Sequence, residues 1–321
     1  MDDNGALPLR QRSCVRPARA AEVAALRALV AAVDASTPYL PREPGEWPAW
    51  CDGPDPAASL ARFQARPNGC VLVAVEGGTL IGWLGATGGQ QPVTRGSVTV
   101  ALGVAADRRG RGIGTALLTT ARRWAEGAGV RRLDLTVVAD NRAAAALYRR
   151  LGYEDEGTLR RSARVNGAWQ DEHVLALLLD TAGPRCPPLS PPPRPGPLAA
   201  ARQAIIRPAG DGIFHAEAGG MVLGTAILTR NTLARERHDA GLRLNVRRDA
   251  GGHGLGRRLL AAAEDWARDN GLERLTARIL AHDPHARRFA ATAGFAEEVL
   301  CRSAVMLDGC VADAVVLGRL L

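Results

Sequence analysis

The 321-residue chain contains no lysine, so each of its 41 basic residues is arginine. Together with 36 glycines and an abundance of alanine, this reads as a coding bias and not as selection for guanidinium chemistry. Aromatic residues are scarce, at 4%, and the cores must therefore be built from Ala, Leu and Val. Their scarcity argues against a nucleic-acid module, which interleaves cations with stacking rings. The six cysteines are scattered without a CxxC pair or metal-ligand spacing, which disfavours a zinc site and reads as reduced thiols in a cytoplasmic protein. No run of about 18 apolar residues occurs, so no membrane helix is expected. The acids Asp2 and Asp3 stand where a signal peptide would carry positive charge, and none is expected.

Hydrophobic residues amount to 46%, enough for a core in each of two domains at this length. The formal charge is +8 and the isoelectric point about 9.9. That balance favours an anionic partner: nucleic acid, an anionic cofactor or an acidic carrier protein. Dispersed Arg pairs are equally a solvated basic surface.

Residues 181–203 carry eight prolines, three of them consecutive at Pro191, Pro192 and Pro193. Such a stretch suits neither a helix interior nor a central strand and reads as a semi-rigid spacer. It divides the chain into residues 1–180 and 204–321. The two parts are related. Gly112 and Gly114 recur as Gly254 and Gly256, Trp124 as Trp266, Gly152 as Gly294, Asn166-Gly167 as Asp308-Gly309 and Asp171 as Asp313, all at an offset of 142. The register runs without a gap from Ala74–Leu179 onto Ala216–Leu321, which marks an internal duplication. Arg16-Pro17-Ala18 recurs as Arg207-Pro208-Ala209 at an offset of 191, so the second copy is 49 residues shorter near its start. In the first copy that interval holds an amphipathic helix over about 20–33, a loop with Trp47 and Trp50, and a second helix over about 57–66.

The unit reads β–α–α–β–β–β–α–β–α–β–β, a mixed α/β sandwich. Cys70–Val75 and Thr79–Leu84 form a hairpin about Glu76-Gly77-Gly78. Val98–Val104 is a strand and about 113–126 a helix stopped by Gly127 and Gly129. Leu133–Val138 is a buried strand. Asn141–Leu151 is a short helix closed by Gly152. Between strand and helix lies Arg108-Arg109-Gly110-Arg111-Gly112-Ile113-Gly114. Glycines there let a ligand approach the backbone, and the helix N terminus suits a pyrophosphate. By itself the run is equally a tight loop that binds nothing. A dinucleotide fold is disfavoured because antiparallel hairpin strands precede it.

Two signatures bring out a resemblance. Arg109-x-x-Gly112-x-Gly114 resembles the pyrophosphate loop of the GNAT N-acetyltransferase superfamily. The segment from Asp140-Asn141 through Ala144 and Tyr148 to Gly152-Tyr153 resembles that family's N-x-x-A-x-x-x-Y-x-x-x-G-[FY] run. The resemblance covers nearly all of residues 13–180 and implies two GNAT-like mixed-sheet α/β sandwich domains in tandem, joined by a proline-rich linker. It also implies transfer of an acyl group from acetyl-CoA, or another acyl-CoA, to a primary amine by direct attack. Residues implied for the donor are Leu102, Val104, Arg109, Gly110, Arg111, Gly112, Ile113, Gly114, Thr115, Asn141 and Ala144, with backbone amides near Val104 polarising the carbonyl. Tyr148 would protonate the departing thiolate.

The strand before the loop carries no acid, which leaves the base to water, Glu43, Glu46, Asp171, Glu172 or His173. Trp47 and Trp50 lie where the family builds its acceptor wall. Packing is the plain alternative for both, as helix capping is for Asn141 and a strand surface for His173. The acceptor is a small-molecule or peptide amine. An acyl carrier protein delivering a longer chain, or a non-catalytic acyl-CoA scaffold, are the competing readings.

The offset also shows what the second copy lost. Arg109 becomes Gly251, Arg111 becomes His253, Asn141 becomes Asp283 and Tyr148 becomes Ala290. Residues 204–321 therefore read as a degenerate copy. Without the two helices its sheet should leave an apolar face, over 224–228 and 242–246, that needs the first domain or a homodimer partner to cover it.

Overall fold

A computed structural model describes residues 13–40, 42, 43, 46–180, 183–189 and 199–321. The chain forms two compact units that divide at Leu135 and Thr136, inside a strand, with residues 41–43 also assigned to the second. The proline run 191–193 lies outside the described residues.

In the first unit β1 (Cys14–Pro17) leads to α1 (Val23–Ala35) and α2 (Pro56–Gln64), followed by β2 (Gly69–Glu76), β3 (Thr79–Gly88) and β4 (Ser97–Val104). Helix α3 (Ile113–Gly127) and the start of β5 (Arg132–Val138) complete it. Strands β1 to β4 pair antiparallel in sequence order. Gly77 and Gly78 take φ of 56° and 81°, the two left-handed residues that a tight hairpin requires. Asp55 accepts from the Ala58 amide at 3.0 Å with Pro56 in the first turn, a capped start for α2. One sheet face carries Val71, Val73, Val75 and Trp83, buried against Leu26, Val30 and Val33 of α1 and Leu60 and Phe63 of α2. Helix α3 buries Ile113, Leu117, Leu118, Ala121 and Ala125, the stripe expected of a helix lying on a sheet.

In the second unit α4 (Arg142–Arg150), β6 (Glu154–Val165) and β7 (Ala168–Leu178) finish the first copy. After α5 (Ala199–Gln203) the second copy contains β8 (Ile205–Gly210), β9 (Ile213–Ala218), β10 (Met221–Arg230) and β11 (Asp239–Val246). It closes with α6 (Leu255–Asp269), β12 (Arg274–Leu280), α7 (Pro284–Thr292), β13 (Ala296–Leu307) and β14 (Cys310–Leu320). The strand order is β7-β6-β13-β14-β12-β11-β10-β9-β8. The proline-rich stretch is no free spacer over 183–189. Val311 donates to the Pro184 carbonyl, Cys186 donates back to Val311, and Arg185 reaches Asp313 at 3.0 Å.

The copies meet edge to edge at β6 and β13, where Gly157 sits opposite Val299. The Arg302 amide donates to Glu156 at 2.9 Å and the Arg160 amide donates to Glu298 at 3.3 Å. These four residues are two pairs at the offset of 142, so each copy offers the other the same acid and the same amide. This is the reciprocity of a two-fold interface, here within one chain.

The expectation of an apolar face on the second copy is corrected. The positions matching Val71, Val73, Val75 and Trp83 are Ile213, His215, Glu217 and Thr225. Glu217 lies 3.7 Å from His215 and 3.8 Å from Arg207. Ala226, Leu228 and Leu242 of β10 and β11 point to the opposite face and pack in the core with Leu259 and Ala263 of α6, while Ile227 pairs with Ile213 on the face of Thr225. Where the helices were lost, three of the four positions became polar, while Ile205 and Val222, which pair beside Glu217 on that face, are exposed.

Candidate active site

In the first unit β4 and β5 run parallel but pair only over Ser97–Thr99. From Val100 to Val104 the edge of β4 turned away from β3 has no ladder partner in β5, and this stretch includes Leu102 and Val104. The glycine loop follows. Gly110 and Gly112 have φ of 74° and 82°, a conformation that any residue with a Cβ adopts only under strain. Gly112 precedes α3, and no side chain caps the helix. The first-turn amides around Ile113, Gly114 and Thr115 are thus left for an anion. Arg111 is exposed.

Arg109 is not a free charge at the rim. Its Nε donates to the Val104 carbonyl at 3.1 Å, and its Nη2 donates to Ser36 Oγ at 2.5 Å. It fastens the loop to the end of β4 and to the end of α1. No sequence signal marked Ser36. Arg108 is held by Glu76 at 3.0 Å.

Trp50 is 4% exposed, with its ring 5.8 Å from that of Trp83 and its Nε1 pressed on Gly85. It is part of the core and not an open wall. Trp47 is half-buried, with the Arg27 guanidinium 4.0 Å above its ring. Glu43 is exposed and Glu46 half-buried.

In the second unit Asn141 caps α4. Its Oδ1 accepts from the Ala144 amide at 3.2 Å, which occupies that amide and leaves the Asn141 Nδ2 as the side chain's donor. Tyr148, two turns further along, is 8% exposed, its ring 6.0 Å from that of Tyr153. Burial pushes its phenol up to about 12, because a phenolate would lose its water. The group therefore stays protonated at every pH at which proteins ordinarily work.

The candidate bases separate by strand parity. Glu172 and Val174 share one face of β7, since side chains alternate along a strand, and Val174 packs with Val299 and Cys301 at the β6–β13 contact. Leu177 is on the other face, against Gly152 at the end of α4. Glu172 is thus turned away from Tyr148. It is buried, accepts from Ser162 Oγ at 2.8 Å, and is held above the usual carboxylate range by desolvation. Asp171 accepts from the Arg161 amide at 2.8 Å, holding Arg161 at φ 49°. Asp313 does the same for Ser303 at 2.8 Å, with φ 53°. That duplicated contact gives Asp171 a structural task. His173 Nδ1 lies 3.0 Å from Thr158 Oγ1.

No cluster of His, Cys, Asp and Glu suited to a metal occurs among the described residues, and no helix among them is long and apolar enough to cross a membrane.

The sequence model of the acetyltransferase (GNAT) family matches residues 36–153 and again 179–295. The chain is 40% identical over 118 residues to N-alpha-acetyltransferase RimI of Mycobacterium tuberculosis, spanning 36% of this chain and 72% of that protein. It is 33% identical over 118 residues to L-amino acid N-acetyltransferase AaaT of Escherichia coli, with the same shares. Among solved structures, a GNAT-family acetyltransferase from Streptococcus pneumoniae aligns with a TM-score of 0.49 and 25% identity, covering 53% of this chain and all of that one.

Proposed function

Because the chain belongs to the acetyltransferase (GNAT) family, we propose that it is an N-acetyltransferase whose first copy, residues 1–180, carries the catalytic site. In this reading 181–203 is the linker and 204–321 a degenerate copy. The donor is acetyl-CoA and the acceptor the primary amine of an amino acid or a peptide N terminus. The observation that carries the reading is Tyr148, a buried phenol held protonated within the Asn141–Tyr153 motif, whose counterpart in the second copy is Ala290.

The residues present fit the donor. The uncapped start of α3 and the left-handed Gly110 and Gly112 suit its pyrophosphate, and the free edge of β4 suits an extended amide-bearing arm. Bound there, the donor supplies an activated thioester carbonyl. Amides of the β4 edge hydrogen-bond the oxyanion that forms when the amine attacks. Asn141 Nδ2 donates to the arm. Tyr148 donates to the developing thiolate. Against an ordinary thiol pKa of about 8.5, complete transfer from a phenol near 12 would be uphill by about 5 kcal/mol. Tyr148 therefore acts as a hydrogen-bond donor in the transition state, and the proton that ends on sulfur is the one the attacking nitrogen gives up as the amide forms.

The test is acetyl-CoA consumption by the full chain across a panel of amino acids and of peptides with different N termini. Turnover confined to members bearing a primary amine supports the reading. No consumption with any amine, from protein shown to be folded, would reject it.

A further inference from the structure

The proposed mechanism uses none of the six cysteines, and all six are free thiols. Cys51, Cys70 and Cys301 are buried, whereas Cys186 and Cys310 are half-buried and within reach of a reagent. These two are far apart in the chain, and the fold of the second unit brings them together. Strand β12 pairs with β14 only as far as Leu280, opposite Ala314. Beyond that point the edge of β14 is taken by the proline-rich segment. Arg185 bridges to Val311 in parallel. The Val311 amide donates to the Pro184 carbonyl at 2.8 Å, and the Cys186 amide donates to the Val311 carbonyl at 2.9 Å. Arg185 also reaches Asp313 at 3.0 Å and Ser303 Oγ at 3.3 Å. This docking delivers the Cys186 side chain to the turn that joins β13 to β14. There the Leu307 amide donates to its sulfur, and the thiol of Cys310, the residue opposite Leu307 in the hairpin, is its side-chain hydrogen-bond partner.

The pair belongs to this docking and not to the duplicated fold. At the offset of 142 the residue matching Cys310 is Ala168, so the hairpin itself needs no sulfur at this place. Cys186 lies in the segment between the copies. A thiol thus stands at the start of β14 in the copy where that segment crosses the strand. The segment is held by backbone bonds and by an ion pair whose arginine is exposed, contacts of the kind that open locally at small cost.

We propose that Cys186 and Cys310 form a redox pair whose disulfide fastens the proline-rich segment to the β13–β14 hairpin. The oxidant is a low-molecular-weight disulfide. One protein thiolate attacks it, forming a mixed disulfide and expelling one small thiolate. The other protein thiol gives up its proton and attacks the protein sulfur of that mixed disulfide, expelling the second small thiolate. The two small thiolates take up the two protons, so the small disulfide is reduced as the protein pair is oxidised, and an excess of small thiol runs the same steps backwards. Desolvation, with Cys310 beside it, holds the Cys186 thiol above its ordinary range. Its thiolate is not stabilised, and the reduced state gains no advantage over the disulfide from that source.

The experiment treats the full chain with oxidised glutathione, alkylates the remaining thiols and maps linked peptides by mass spectrometry. A cross-link between Cys186 and Cys310 should form, while Cys14, which is exposed, stops at the mixed disulfide. Trypsin acting on the native protein reads the fastening, because the bond after Arg185 lies in an exposed segment. Oxidation should slow that cut by about tenfold or more, since a covalent link removes most of the open conformations, and reduction should restore its rate. Cys310→Ala, which places the residue of the first copy in the hairpin, should abolish both the cross-link and the protection. These readouts are thiol chemistry and proteolysis, independent of acetyl transfer. Free Cys186 and Cys310 under conditions that modify Cys14 would overturn the proposal, as would a cross-link that leaves the cut after Arg185 as fast as in the reduced protein.

Discussion

Replacing Tyr148 by phenylalanine removes one hydroxyl and leaves the packing against Tyr153 in place. The ring stays buried, so stability should change by less than about 1 kcal/mol. The hydroxyl matters only once negative charge builds on sulfur. A hydrogen bond to a charged group is worth about 1.5–3 kcal/mol, which predicts a fall in kcat of roughly 10- to 150-fold with KM for the donor nearly unchanged. Full general-acid catalysis would instead reach about 10⁴-fold. The pH profile separates the ideas further. Burial places the phenol near 12, above its ordinary value of about 10. The donor form is complete below that ordinary value and is lost only as pH rises through about 12. Wild-type kcat should therefore show no alkaline decline that Tyr148→Phe abolishes below about pH 11. Steady-state kinetics of both proteins from pH 6 to 10.5 decides it. Unchanged kcat would remove Tyr148 from the mechanism, and a loss beyond about 10³-fold would refute the hydrogen-bond account in favour of full proton transfer.

Asn141→Asp should keep the cap on α4, as Asp283 does on α7, and leave stability unaltered while raising KM for acetyl-CoA. Asn141→Ala should also lose about 1 kcal/mol of stability, and equal KM values for Asp and wild type would show that Asn141 serves only as a cap. Gly157→Ala would set a Cβ 2.1 Å from the Glu298 carbonyl at a φ of 150°, and should cost about 2–5 kcal/mol in urea unfolding by strain and overpacking. Gly167→Ala, at a φ of 79° with nothing near its Cβ, is the control for strain alone. Equal losses for the two would mean that the β6–β13 contact contributes no clash.

The order of elements, the duplication and the glycine loop are local matters, and local patterns disclose them. Alternation, turn glycines and the 142-residue offset act over a few neighbours or by direct comparison of letters. The same comparison shows Tyr148 lost at Ala290, because a motif position carries its role with it. What faces what is decided by long-range pairing. Ser97 and Thr99 donate to Asp134 in the first copy, at 3.1 and 2.7 Å. In the second copy Thr276 donates to Asp239 at 2.7 Å. Acid and hydroxyl have exchanged strands, a compensation invisible until β11 lies beside β12.

Parity along β7 turns Glu172 away from Tyr148, and it needed the contact of Val174 with β13 to orient it. Trp50 could line a wall or fill a core equally well as a letter. Its place over Gly85, where only a residue without a side chain leaves room for an indole, made it core. The bare face of the second copy rested on the same kind of decision. Hydrophobicity counted along 224–228 and 242–246 cannot say which side chains share a face, whereas the folded sheet turns Ala226, Leu228 and Leu242 to α6 and leaves His215, Glu217 and Thr225 on the side that the first copy covers with helices. The sequence by itself determined which elements form and which motif residues survive. The tertiary structure alone decided which of those residues are buried, paired or left facing an open site, because burial depends on neighbours that the chain brings from far away.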